Sequence, residues 1–236
     1  MEKLKSLVDS YQIAPEAIDI VRKTKIALLV GIAGAGKDTI KRQLLNKNEY
    51  HEIVSHTTRS PRTNNGAIEI EGRDYHFISL DEAAEMLLNR QFVEAKLVHG
   101  SVVYGTAVYE VDKSRQQNKI ALTDIDVQGV AEYQKLTDNM VAIFVIPPNF
   151  NVWRQRLSHR YPTVDEFTSE WERRRDSAIN ELEFALGAPY FKFVINNALD
   201  NAVELIHQTI KGEAVSADDE ARQVATRLLA DIRANS

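Results

Sequence analysis

The stretch "GIAGAGKDT", Gly31 to Thr39, gathers the residue types that hold phosphate. Glycine N–H groups can wrap a pyrophosphate, because glycine tolerates the φ values and the close approach this needs. A lysine adds a point charge for the terminal phosphates. Gly31, Gly36 and Lys37, with Gly34 and Ala35 between them, fit the spacing G-x-x-x-x-G-K-[ST]. The next position should carry a hydroxyl that helps hold magnesium. Here it is Asp38, and the hydroxyl follows on Thr39. A carboxylate can ligate magnesium, and in the first turn of a helix it gains up to roughly 1 kcal/mol. Against phosphate at 4 Å it meets a repulsion of about 1 to 4 kcal/mol, depending on the local dielectric. The expectation is that Asp38 faces away from the phosphates or meets them only through magnesium and water, while Thr39 takes over the hydroxyl role.

Three further groups carry chemistry. "SHTTRSPR", Ser55 to Arg62, sets Arg59 and Arg62 three apart around a proline. That is either a two-point phosphate clamp or a solvated loop. "KIALTDIDV" ends in Asp124 and Asp126, a strand-end pattern that suits a metal or phosphate site. "RQRLSHRYPTVDEFTSEWERRR" carries Arg154, Arg156, Arg160, Arg173, Arg174 and Arg175. Most of these suit a solvated helical face with ion pairs; a few could neutralise charge on a moving phosphoryl group.

The elements that must position these residues follow from pattern. Residues 1–23 read as two helices split at Pro15, a good first helical position. "KIALLVGI" is a buried strand, followed by a glycine loop and a helix from about Gly36 to Asn46, the context a phosphate loop requires. "KIALTDIDV", "MVAIFVIPP" and "FKFVINN" are three more core strands, the last two followed by helical patterns. Strands alternating with helices imply a largely parallel sheet covered on both faces. The segment from Ser55 to Thr106 breaks the rhythm as a β-rich insert with turn signals at "NNG" and "EG". Within it, Ser79 and Glu82 predict a capping box. After Gly212 a last amphipathic helix is expected, with Ser216 as N-cap and Val224, Leu228, Leu229 and Ile232 as its apolar stripe.

Bulk composition sets limits. The 236 residues suffice for one α/β domain with appendages. A net charge of −5 argues against a general nucleic-acid or membrane-surface binder. There is no cysteine, which removes disulfides and thiolate metal sites and is compatible with the cytoplasm. The N-terminus lacks a signal-peptide core, and no apolar run approaches the roughly 20 residues of a membrane span.

In order along the chain stand the phosphate loop, "TTRSPR", "GRDYHF", "FVEAKLVHGSVVYGT" and "DIDVQG". That series closely resembles the guanylate kinase family, which phosphorylates GMP with ATP, from about Lys25 to Gln208. The resemblance implies a P-loop NTPase-type parallel sheet with a GMP-binding insert at about 55–106 and a helical lid at about 150–176. These lie in a 25–211 domain, with helical extensions at 1–24 and 212–236. Arg59, Arg62, Tyr75 and Tyr104 match residues on the GMP phosphate. Ser55, Glu94 and Thr106 match readers of the guanine edge, with Asp126 near its amine. For Glu94 the chemistry agrees, since a carboxylate can accept from guanine N1–H and the 2-amine together. Asp124 matches the acidic residue that faces the magnesium region, and Thr39 is expected as a further ligand. Arg160 and Arg174 match the lid arginines, with Arg156 and Arg173 next, and Asn196 matches the family's segment near adenine. An Asn pair ending a strand is equally turn chemistry.

The sequence also departs from the family. Tyr161-Pro162 replaces a glycine after the first lid arginine, and the link to the second is longer. Ala95 follows Glu94 where a tryptophan is usual. "TNNGAIEIEGRD" is long, and "HGSVVYGT" has an extra residue before Tyr104. Two alternatives stand beside GMP kinase activity: a same-fold kinase with another acceptor, and a phosphoprotein-binding module of guanylate-kinase type. The apolar faces of the terminal helices must be buried on the core, on each other or in a homodimer.

Overall fold

The computed structural model describes residues 2–64, 67–98, 100–213 and 218–235. The helices are α1 (Glu2–Asp9), α2 (Pro15–Lys23), α3 (Lys37–Leu45), α4 (Leu80–Leu88), α5 (Val108–Gln116), α6 (Val127–Leu136), α7 (Phe150–Ser158), α8 (Val164–Gly187), α9 (Leu199–Lys211) and α10 (Asp218–Ala234). The strands are β1 (Ile26–Val30), β2 (Tyr50–Glu52), β3 (His56–Thr57), β4 (Thr63–Asn64), β5 (Ala67–Ile68), β6 (His76–Phe77), β7 (Phe92–Val98), β8 (Val102–Ala107), β9 (Ile120–Asp124), β10 (Met140–Ile146) and β11 (Phe191–Ile195).

Five strands form the main sheet in the order β11-β10-β1-β9-β2. β10 and β11 run parallel with Ala142 opposite Phe191, and β2 runs parallel to β9 with Tyr50 opposite Ile120. β1, "IALLV", is buried at all five positions. It therefore shows no alternation, as expected for a strand covered on both faces. Its Ile, Leu and Val side chains each contribute about 1.5–3 kcal/mol of burial. The four core strands expected from sequence are present. The fifth, β2, has only three residues, of which Tyr50 alone is buried, so its apolar signal is too short to stand out.

The chain divides into two compact units. The first takes in Met1–Ile26, Asn48–Thr123 and Ala131–Met140. Its second sheet has the order β6-β3-β8-β7, with β3 parallel to β6 and antiparallel to β8. Pro15 opens α2 as expected. α1 packs on α4 and β7, and α2 on α5 and β7. Leu4 of α1 joins Ala83, Leu87, Phe92, Val103 and Ala107 in one apolar cluster. The expected capping box is formed: Glu82 N–H donates to Ser79 Oγ at 3.1 Å, and Ser79 N–H donates to Glu82 Oε2 at 2.7 Å. Asn65 and Gly66 of the "NNG" turn lie outside the described residues.

The second unit takes in Ala27–Lys47, Asp124–Val130 and Val141–Ser236. Here α10 packs on α8, β11 and α7. Its buried residues are Ala221, Ala225, Leu228, Leu229 and Ile232. The stripe thus runs through two alanines, and Val224 is only half-buried. The expected N-cap Ser216 lies outside the described residues. Asp218 Oδ1 accepts from Phe193 N–H at 2.7 Å, and Arg222 donates to the Phe191 carbonyl at 2.6 Å. These bonds tie the helix to the edge of β11.

Candidate active site

The phosphate loop belongs to the second unit. Gly31, Gly34 and Gly36 all take positive φ, at 138°, 84° and 95°. A Cβ on Gly31 would strike the Val145 carbonyl, and one on Gly36 the Asn196 amide. Both space and conformation therefore require glycine there. Lys37 Nζ donates to the Gly31 carbonyl, so its ammonium lies folded across the loop. Ala35 is buried, and its carbonyl accepts from Asn196 Nδ2 at 2.8 Å. Trp153 Nε1 donates to the Ala33 carbonyl at 2.8 Å from a fully buried indole. The loop is thus held in its open turn by side chains from β11's end and from α7.

Asp38 and Thr39 are both exposed in the first turn of α3. Among the described residues the Asp38 carboxylate comes no nearer a cation than 3.9 Å, to Arg160 Nη2. Asp124 accepts from Lys41 Nζ at 2.5 Å. Burial pushes the Asp124 carboxyl up, but the Lys41 and Lys37 charges outweigh it and hold it below the usual range. Asp124 is therefore a stable anion. Asp126 Oδ1 accepts from Gly129 N–H at 2.8 Å, at the start of α6.

In the first unit a compact cluster forms around Arg59. Its Nε donates to Tyr104 Oη at 2.9 Å. Its two terminal nitrogens grip Glu69 at 2.7 and 3.0 Å. The guanidinium lies 5.2 Å from the centre of the Tyr75 ring, and the Tyr75 and Tyr104 rings meet edge-on at 5.8 Å. Burial opposes the Arg59 charge, while the bonds to Glu69 and Tyr104 outweigh it and raise its pKa. Arg62 meets the same Glu69 through its main-chain N–H at 2.7 Å, with its side chain exposed. Thr106 Oγ1 donates to Glu94 Oε1 at 2.8 Å across the β7–β8 pair. The half-buried Ser55 offers its carbonyl to His76 N–H at 2.9 Å.

Residues 23–213 match the family described as guanylate kinase. The chain belongs to the guanylate kinase family. It is 33% identical over 193 residues to the guanylate kinase of Geobacter sulfurreducens, spanning 81% of this chain and 90% of that one. To the guanylate kinase of Cupriavidus metallidurans it is 33% identical over 195 residues, 82% of this chain and 86% of the other. The crystal structure of guanylate kinase from Anaplasma phagocytophilum shares the fold, with a TM-score of 0.61 and 22% identity. That likeness covers 82% of this chain and 88% of that one.

The arginines expected in the lid have distinct partners. Arg174 Nε donates to Tyr161 Oη at 2.8 Å. Tyr161 thus supplies a support for Arg174. Arg160 approaches Asp38 as above. Arg156 donates to the Asn196 carbonyl at 2.9 Å, and burial lowers its pKa. Arg173 pairs with Glu170 on its own helix, Arg154 lies over the Trp171 ring, and Arg175 pairs with Asp176 at 2.9 Å. Arg173 and Arg154 have the ion-pair and packing roles of a solvated face, whereas Arg175 is half-buried.

Four residues of the two clusters escaped sequence reasoning. Glu69 lies inside the long "TNNGAIEIEGRD" segment, where nothing in spacing marks it as the partner of Arg59. Lys41 follows Lys37 by one helical turn, so its place on the same face was available from the i, i+4 rule. Tyr161 was noted only as a departure. Glu181 of α8 is half-buried, and the loss of water around its carboxyl raises its pKa against the pull of Ser177 and Lys37. Its position one turn after Ser177 gave no sign of that.

Proposed function

We propose that the chain transfers the γ-phosphate of ATP to GMP or dGMP, giving ADP and GDP or dGDP. The observation that carries this reading is the Arg59–Tyr75–Tyr104 cluster beside the Glu94–Thr106 pair on one small sheet. Together they offer a charged, hydroxyl-rimmed seat for a phosphate and a carboxylate for guanine. In this reading residues 25–211 are the kinase domain, 55–106 the acceptor insert and 150–176 the lid.

The phosphate oxygen of GMP is already anionic at neutral pH, so no general base is needed. Catalysis then rests on alignment and charge neutralisation. Lys37 exchanges its loop carbonyl for the ATP phosphates, and Arg160 and Arg174 neutralise the moving group. Gly31, Gly34, Ala35, Gly36, Asp38 and Thr39 surround the donor phosphates. Asn196, bonded to Ala35, supports the loop as well as lying toward adenine. Arg59, Arg62, Tyr75 and Tyr104 hold the acceptor phosphate, while Ser55, Glu94, Thr106 and Asp126 read the base.

Among the described residues no three His, Asp or Glu side chains group as a metal site. Magnesium bound with nucleotide takes most of its ligands from phosphate and water, needing one or two protein oxygens. The anionic Asp124 and the Thr39 hydroxyl fit that requirement, and the ion would offset phosphate charge.

No described helix is long and apolar enough to cross a membrane, and the reading places the enzyme in the cytoplasm. α1 buries Leu4 and α2 buries Ala17 and Val21, while Leu7, Val8, Ile18 and Ile20 stay half-buried, and a homodimer through the terminal helices belongs to this reading. ADP release with GMP and dGMP, against AMP and UMP, tests the acceptor. Calorimetric ATP binding tests the binding-module alternative, against which stand the three positive-φ glycines and Lys37.

A further inference from the structure

We propose that Tyr11, between α1 and α2, is a positioning residue for Glu94, so that the N-terminal extension sets guanine selectivity. The proposal rests on the GMP reading above. It concerns a residue outside the family match, which begins at residue 23.

The Tyr11 hydroxyl donates to the Phe92 carbonyl at 2.5 Å and accepts from the Phe92 N–H at 2.9 Å. A hydroxyl has both a donor and acceptor lone pairs, so one phenol can satisfy both main-chain groups of a residue. Phe92 opens β7, and this is where the strand departs from regular pairing. Phe92 stands opposite Ala107 and Glu94 opposite Thr106, which leaves Val93 as an extra residue. A β-bulge of this kind decides which face the following side chains take, since a one-residue slip turns every one of them over. Glu94 must keep the face of Thr106 to hold their 2.8 Å bond. Tyr11 therefore pins the backbone at the bulge, two residues before the base-reading carboxylate.

The Phe92 side chain extends the same link. It is fully buried, and a Cβ on Gly105 would lie 2.8 Å from its Cδ1. Gly105 separates Tyr104 from Thr106, so the ring packs against the main chain that carries both. Tyr11 is in turn fixed by its setting. Its ring meets Phe92 edge-on at 6.4 Å, it borders the apolar cluster that includes Leu4, and burial pushes its phenol up to about 12. The hydroxyl stays protonated and able to donate throughout the working pH range.

Tyr11→Phe removes one oxygen and keeps the ring. Expected are a KM for GMP about five-fold higher, as for a lost buried hydrogen bond, and KM for ATP unchanged. Inosine 5′-monophosphate lacks the 2-amine that Glu94 would read. The variant's preference for GMP over it should fall at least about three-fold, and the Phe92 amide should exchange faster with solvent. Glu94→Gln provides the reference. If Glu94→Gln loses the preference and Tyr11→Phe keeps it, with only the melting temperature lowered, Tyr11 is a structural staple and the proposal is overturned. If Glu94→Gln itself keeps the preference, the guanine assignment fails, and the proposal falls with it. Should Tyr11→Phe fold poorly, Leu4→Ala loosens the same extension, and an unchanged GMP preference there also overturns the proposal.

Discussion

Lys37 carries the largest expected effect of any single side chain. Lys37→Ala should cut transfer by at least about a thousand-fold, the scale of a lost transition-state charge contact. Folding should be preserved, because the side chain gives up only a loop carbonyl. Retained GDP formation would remove Lys37 from the mechanism. Asp38→Ser should behave in the opposite manner. The carboxylate is exposed, and its distance to Arg160 is 3.9 Å, so stability should change by no more than about 0.5 kcal/mol. An unaltered magnesium dependence of turnover is expected. The two effects were legible to different degrees. The glycine spacing declared the loop, whereas the orientation of Asp38 depends on where α3 begins. Glu69 was invisible because its partner Arg59 lies ten residues away across a hairpin. Both side chains are about 90% buried, with relative exposures of 9% and 10%. Glu69→Ala should then cost about 3–5 kcal/mol in urea unfolding, since it strands a buried guanidinium.

Among the elements, β3 joins chemistry to stability. His56, on this strand, is buried and held neutral. Burial lowers its pKa to about 4, with the neighbouring His76 acting the same way and Glu110 and Glu71 opposing. Its Nε2 lies 2.8 Å from Tyr109 Oη, and Lys113 is the remaining charge that acts on it. A folded pKa below the unfolded value near 6.5 means that the unfolded chain binds the proton more readily. The contribution is therefore complete above about pH 6.5 and is lost as pH falls toward 4, up to about 3 kcal/mol. His56→Gln should flatten the fall of the urea midpoint over that window. A slope equal to wild type would assign the acid sensitivity elsewhere. The β3 segment was legible only as β-rich, because two-residue strands carry no period. The long strands β1, β10 and β11 and the capped α4 were legible, since buried runs and a capping box are local signals. β2 was not, for its pairing with β9 depends on register rather than on composition.

Over the whole molecule, the order of motifs made the family legible, and the terminal helices marked the limit of that reading. Their amphipathic faces were plain in sequence, but which surface they cover depends on tertiary packing. Leu228→Ala in α10 should cost about 2–5 kcal/mol by urea unfolding if that helix belongs to the fold as packed. A change under about 0.5 kcal/mol would make it an appendage. The central claim concerns the reaction. The most direct measurement follows ADP release from ATP and magnesium with GMP as acceptor, beside AMP and UMP, with Lys37→Ala as the blank. GMP kinase activity predicts rapid GMP-dependent release, absent with AMP, UMP and the Lys37→Ala variant. No GMP-dependent release from a folded protein that binds ATP would contradict it.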